Sequence, residues 1–139
     1  MSGEFVDTNV LIYAHDSGAG SKRSLAAALL ERLLEERRGL LSTQVLMEFF
    51  VAATRKLPKP LDPRTAAAIV DDLGTWPVFS PGVADILEGA RLAQRHRIHF
   101  WDGMIVRGAV ALGAEVIWSE DLNAGQRYEG VEVRNPFRS

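Results

Sequence analysis

Four acids stand out by where they fall: Asp7, Glu48, Asp102 and Asp121 lie far apart in the chain, each within or beside an apolar segment. Carboxylates gathered in one crevice repel each other and raise each other's pKa unless something positive sits between them. A hard divalent cation, Mg²⁺ or Mn²⁺, answers that need, because such ions take oxygen ligands and keep several waters. An ion of this kind lowers the pKa of a bound water and stabilises charge on a phosphate oxygen. Phosphodiester hydrolysis by in-line attack of water needs that combination. The chemistry depends on whether the chain carries the four acids to one place.

The elements that must do this can be read along the sequence. Gly3–Asp7 is a short buried strand built on Phe5 and Val6. Asp7-Thr8-Asn9 offers capping side chains for a helix starting Val10-Leu11-Ile12-Tyr13. Ser21 can cap a long helix to about Arg38, with Leu25, Ala28, Leu29, Leu33 and Leu34 at helical spacing and Gly39 to end it. Leu40-Leu41-Ser42 is a second strand, and Ser42 or Thr43 caps a helix with Val45, Leu46, Phe49, Phe50 and Ala53 on its apolar face. Leu57-Pro58-Lys59-Pro60 breaks it. Asp62 and Pro63 then open a helix that stops at Gly74. Trp76–Phe79 is a third strand, and Ser80-Pro81 opens a helix to about His96. Another helix runs from Trp101 to Leu112, ended by Gly113. Glu115–Trp118 is a fourth strand and Val131-Glu132-Val133 a fifth.

Short apolar strands alternating with helices predict an α/β domain with a mostly parallel sheet covered on both faces. In such sheets sites gather at the carboxyl ends of the strands, where strand order reverses. Asp7 ends the first strand, Glu48 lies within about two turns of the helix after the second, and Asp121, with Glu120 beside it, follows the fourth. All three should approach one edge. Asp102 starts a helix, so the chain between His96 and Phe100 must return there. Each acid also has a plainer use: Asp7, Asp102 and Asp121 as caps, Glu48 as a solvent-facing helix residue. The apolar run from Val45 to Ala53 favours a partly buried Glu48. Spacing alone leaves both readings open.

The local sequences decide further. Phe5-Val6-Asp7-Thr8-Asn9-Val10-Leu11-Ile12-Tyr13 resembles the opening motif of PIN-domain ribonucleases, and among them the VapC toxins of bacterial type II toxin–antitoxin modules. Gln44-Val45-Leu46-Met47-Glu48-Phe49 is similar to their second motif and Trp101-Asp102-Gly103-Met104-Ile105 to their third. Trp118-Ser119-Glu120-Asp121-Leu122-Asn123, with Gly125-Gln126, resembles the last, and the ending from Gly130 to Phe137 is also familial. The resemblance implies a single PIN domain over the whole chain, a three-layer α/β/α fold with a parallel sheet of about five strands in the order 3-2-1-4-5. It implies Asp7, Glu48, Asp102 and Asp121 as the acidic quartet around Mg²⁺ or Mn²⁺. Asp7 and Asp102 would be direct ligands, and Asp121 a ligand directly or through water. Glu48 would bind a second metal, bind through water or orient the attacking water. Thr8, Asn9 and Ser119 would support them, and Glu120 would assist the metal or face solvent. Gly103 replaces a slightly larger small residue and should loosen its helix start. The implied activity is an RNA-cleaving toxin, dimeric and neutralised by a separate antitoxin that wraps it and can place a basic side chain in the site. The helices near 10–14, 21–38 and 43–56 are candidate surfaces for that partner.

Composition bounds the alternatives. The chain has 139 residues, 47% of them hydrophobic, which argues for one core and against disorder throughout. No cysteine is present, so thiolate zinc sites and Cys nucleophiles are excluded. No apolar run approaches the length of a membrane span and no secretory signal is visible at Met1-Ser2-Gly3-Glu4, so a cytoplasmic protein is expected. A formal charge of −2 is not that of a DNA-coating protein. Asn9 stands where a strand-end phosphatase needs a second acid, and no phosphate-binding glycine loop occurs. His15, His96 and His99 lack zinc spacing. Trp76, Trp101 and Trp118 read as core. Arg91, Arg95, His96, Arg97 and His99 form a basic run that could grip RNA phosphates, though a solvated helix end explains it more simply. A non-catalytic PIN-like module that binds RNA or protein is the remaining alternative; retention of all four acids favours the enzyme.

Overall fold

The computed structural model describes residues 3–138. Its elements are β1 (Gly3–Val6), α1 (Thr8–Ala14), α2 (Ser21–Glu36), β2 (Gly39–Ser42), α3 (Thr43–Arg55), α4 (Pro63–Leu73), β3 (Val78–Phe79), α5 (Val83–His96), α6 (Phe100–Ala111), β4 (Ala114–Trp118), β5 (Arg127–Tyr128) and β6 (Val131–Arg134). The sheet order is β3-β2-β1-β4-β6-β5. All pairings are parallel except the β5–β6 hairpin. The expected order 3-2-1-4-5 therefore holds with β6 in fifth place, and β5 is an added edge strand. The turn, Glu129-Gly130, gives it little local signal because Glu129 stands where such turns favour Asn, Asp or Gly. Both residues have positive φ, 50° and 86°, as the tight hairpin turn requires.

The layers follow from connection handedness. The β1-to-β2 and β2-to-β3 crossovers step one way across the sheet and the β3-to-β4 crossover steps back, so right-handed connections put α1–α4 on one face and α5–α6 on the other. Phe5 and Val6, which point to opposite faces of the central strand, are both fully buried. Direction reverses between β1 and β4, so the carboxyl edge at that seam is the crevice of the fold.

Several elements depart from expectation for identifiable reasons. Gly20 precedes α2 without a side-chain cap, and Ser21 is its first residue. Arg37, in the left-handed conformation, ends the helix, while Gly39 belongs to β2. A Cβ on Gly39 would fall 2.2 Å from the Trp76 ring, so glycine is there for packing. The buried face of α2 is Ala26, Leu29 and Leu33, and Leu25, Ala28 and Leu34 are exposed. Ser42 caps α3 by accepting from Val45 N at 3.2 Å, and Asp62 with Pro63 opens α4 as expected. The third strand shrinks to Val78–Phe79, and α5 starts at Val83, where Asp85 accepts from Gly82 N at 2.9 Å. Trp76 and Trp118 pack against the core; Trp101 is 61% exposed and does not.

Candidate active site

The carboxyl ends of β1 and β4 build the centre of the site. Their register pairs Val6 with Trp118, and Asp7 N donates to Trp118 O at 3.0 Å, so Asp7 and Ser119 leave the sheet side by side. The Ser119 hydroxyl donates to Asp7 Oδ2 at 2.8 Å and accepts from the backbone N–H of Asp121 and Leu122 at 3.1 and 3.2 Å. One buried hydroxyl thus fixes both the carboxylate after β1 and the turn after β4. Asp7 also caps α1, accepting from Thr8 N at 2.7 Å. Capping and a functional role are therefore not alternatives here.

Asn9 ties the same pieces from one turn along. Its amide nitrogen lies 3.3 Å from Asp7 Oδ2 and 3.2 Å from Asp121 Oδ2, and its carbonyl accepts from Glu120 N at 3.1 Å. Thr8 reaches the other way, donating its hydroxyl to Glu48 Oε1 at 2.8 Å. The expected partial burial of Glu48 is not found: the residue is exposed. The apolar stripe of α3 turns Val45, Phe49 and Ala53 inward and leaves Glu48 on the rim, with Met47 open to solvent beside it. Gln44, buried one turn earlier on α3, lies 3.4 Å from Glu48 and donates to Trp101 O at 3.2 Å, linking the starts of α3 and α6.

Asp102 arrives by an antiparallel helix pair. Asp85 near the start of α5 pairs with Arg107 late in α6 at 2.8 Å. At the other end a Cβ on Gly103 would lie 2.4 Å from Gly89 O and 3.1 Å from Ala93 Cβ. Gly103 therefore does not loosen its helix start, as expected from its size, but lets α5 and α6 touch backbone to backbone. Arg97, at φ 56°, reverses the chain, and His99 precedes the first turn of α6, which carries Asp102. This is the return path that the sequence left unspecified.

Glu120 takes neither of its expected places. It accepts from the Tyr13 hydroxyl at 2.7 Å and pairs with Lys22 Nζ, while Lys22 also sits over the rings of Tyr13 and Phe137. Burial works to raise its carboxyl, but the Lys22 and Tyr13 hydrogen bonds outweigh this and hold it below the usual range. It anchors α1, α2 and the chain end instead of joining the acids.

The electrostatics record the convergence of the others. Asp7, 5% exposed, is pushed up to about 6, first by burial and further by the charges of Asp121 and Asp102, against the lowering hydrogen bonds from Ser119 and Thr8. Burial also raises Asp102, joined by the charges of Asp121 and Glu48 and opposed by His99. Asp7 thus feels Asp121 and Asp102, and Asp102 feels Asp121 and Glu48, at this edge. Among the described residues no three His, Cys, Asp or Glu side chains stand close enough together to hold a metal ion as they are placed. The fit to a hard divalent cation lies in the donor set: oxygen ligands, an acid raised by burial and then by its neighbours' charge, and an open cleft of about 360 Å³ lined by Asp102 and Asp121. Tyr128, on the unforeseen β5, also lines this cleft and was missed by sequence reasoning.

The PIN domain family model matches residues 5–129, nearly the whole chain. The chain belongs to the PIN-domain family. No curated protein matches it in sequence. Its PIN fold is similar to that of DNA-bound VapBC from Salmonella typhimurium, at 21% identity and a TM-score of 0.65, with 98% of this chain and 99% of that one covered. It is also similar to VapBC2 from Rickettsia felis bound to a promoter DNA fragment, at 15% identity and a TM-score of 0.66, covering 95% and 97% of the two chains. A third PIN structure is Mycobacterium tuberculosis VapC20, a Sarcin-Ricin loop cleaving toxin, at 18% identity and a TM-score of 0.65, covering 86% and 90%.

Proposed function

We propose that this PIN-domain protein is a Mg²⁺- or Mn²⁺-dependent endoribonuclease, the toxin of a type II toxin–antitoxin module. The observation that carries the reading is the gathering of three acids at the β1–β4 seam of a PIN fold: the Asn9 amide joins Asp7 to Asp121, and Asp121 shares one cleft with Asp102. Asp7, Asp102 and Asp121 would hold the ion, and Glu48 would bind through water or orient the attacking water. The ion would supply an activated water and a counter-charge for the phosphate oxygen. The protein's own part is to hold the carboxylates. Ser119 and Asn9 fix Asp7, Asn9 steadies Asp121, and Thr8 aims Glu48.

Support for a protein partner comes from the apolar side chains left in solvent, Leu25 and Leu34 on α2 and Met47 and Val51 on α3, on helices where an antitoxin would bind. VapBC relatives of similar fold are toxin–antitoxin complexes, which agrees with such a partner. A homodimer is the second assembly we infer, with exposed Val83, Ile86 and Leu87 of α5 as its candidate apolar face. Action in the cytoplasm, on RNA, is part of this reading; among the described residues no helix is long and apolar enough to cross a membrane.

The test compares wild type with Asp7→Asn and Asp102→Asn on total RNA, in Mg²⁺, in Mn²⁺ and in chelator. Wild type should cut only with metal, and each variant should lose about 100-fold or more in rate while staying folded. Undiminished cleavage by both folded variants would defeat the reading. Retention of RNA by wild type without any cleavage would favour a binding module.

A further inference from the structure

The basic run between α5 and α6 divides in the structure. Arg91, Arg95 and His96 all turn to Glu129, at 3.7, 3.7 and 3.0 Å. Arg91 also pairs with Glu88 within α5, so these three side chains are engaged by carboxylates of the protein itself. Arg97 and His99 do not join them. Both line the cleft that also contains Asp102, Asp121, Asn123 and Tyr128. Among the described residues neither forms an ion pair.

Tyr128 is the unusual member of this wall. The residue is 1% exposed, its ring packed edge-on to His96 with centroids 5.1 Å apart. Yet its hydroxyl makes no hydrogen bond to any described residue, and it is not among atoms sealed from solvent without a partner. The hydroxyl oxygen therefore keeps some of the small exposure left to the residue, and Tyr128 lines the cleft. A buried tyrosine hydroxyl normally finds a partner inside the protein. The cleft that Tyr128 lines is about 360 Å³ in volume, which is within the range of small-ligand sites.

We propose that Tyr128 and Arg97 form a backbone-phosphate subsite for RNA, seating the phosphate of a nucleotide next to the one cut at the carboxylates. The tyrosine supplies an O–H donor pre-aimed by its packed ring, so little rotational freedom is lost on binding. The arginine supplies the fixed charge that an anion needs beside Asp102 and Asp121. Recognition of the backbone, not of a base, follows from the pairing of a hydroxyl donor with a guanidinium. This inference rests on the ribonuclease reading above, since it names where that substrate lies.

Tyr128→Phe removes one oxygen and keeps the packed ring. Arg97→Gln removes the charge. Each is measured in two ways: steady-state cleavage of a short single-stranded RNA in Mn²⁺, and anisotropy of the same labelled RNA with each substitution placed in an Asp7→Asn background that cannot cut. Tyr128→Phe should weaken RNA binding about 3- to 10-fold and raise KM with kcat little changed. Arg97→Gln should weaken binding and reduce the slope of log affinity against log salt by about 0.7, one single-strand phosphate. Wild-type KM, affinity and salt slope in both variants, with the parent still cutting RNA, would overturn the subsite and leave the ribonuclease standing. A parent that neither binds nor cuts RNA would overturn both.

Discussion

Asp7 shows how one side chain serves fold and site against its own ionisation. It accepts hydrogen bonds from Thr8 N and Ser119 while burial and two neighbouring carboxylates raise it to about 6 from an ordinary 3.8. Below about pH 4 it is neutral folded or unfolded. Between the two values the folded state binds the extra proton, so its contribution to stability is lost as pH rises to about 6. Asp7→Asn should therefore match wild type near pH 4 and exceed it by up to about 3 kcal/mol above pH 7 without metal. Denaturant melts of both proteins across this range test the point, and a difference that does not change with pH would contradict it. Glu120, by contrast, is engaged by Lys22 and Tyr13 away from the acids. Cleavage by Glu120→Gln should stay near the wild-type rate, whereas Asp121→Asn should lose it.

At the level of elements, two contacts decide where the site residues end up. The first is the glycine contact between α5 and α6. A methyl on Gly103 meets the carbonyl of Gly89 at 2.4 Å, and backbone cannot swing aside as a side chain can. Gly103→Ala should cost about 1–3 kcal/mol and displace the first turn of α6, lowering cleavage through the position of Asp102. A thermal melt at the wild-type temperature would refute this. The second is the polar knot under β1. Glu4, almost fully buried, accepts from Arg32 at 2.9 Å and Trp118 Nε1 at 2.8 Å and lies 3.4 Å from Arg38. Burial tends to raise its carboxyl, but these donors and charges together lower it. Its contribution is present above pH 4.5 and lost as pH falls through the lowered value, the reverse of Asp7. Glu4→Ala should cost about 1–3 kcal/mol at pH 7, since the arginines are partly exposed and can rehydrate. Equilibrium unfolding gives the value directly.

For the whole molecule, the gathered acids link stability to metal. An ion that binds only the folded state adds about 2.7 kcal/mol at a hundred times its Kd. Wild type should melt higher in Mg²⁺ or Mn²⁺ than in chelator, and Asp7→Asn and Asp102→Asn should respond far less. At a thousand times Kd the gain is about 4.1 kcal/mol, more than the lead of Asp7→Asn, so the order of the two proteins at pH 7 should reverse there. A melting temperature indifferent to both ions would remove the metal from the proposed function while leaving the PIN fold intact.

The chain's alternating pattern was enough for the parallel sheet and for the edge where Asp7 and Asp121 emerge, because a strand end followed by a helix start has one geometry in such folds, whereas the strand order came from the resemblance of the motifs to PIN domains. Asp7 could be singled out for the same reason, lying next to a strand end, while Asn9 and Ser119 followed from the resemblance of their motifs. What lay beyond sequence was set by contacts between distant segments. The exposure of Glu48 and Trp101, the capture of Glu120 by Lys22, and the backbone contact that explains Gly103 all depend on which helix faces meet. The left-handed Arg97 and the Glu129-Gly130 turn carry no strong local signal, because tertiary packing holds non-glycine residues there at positive φ. Those two turns bring Asp102 and Tyr128 to one cleft, and only the folded chain could place them there.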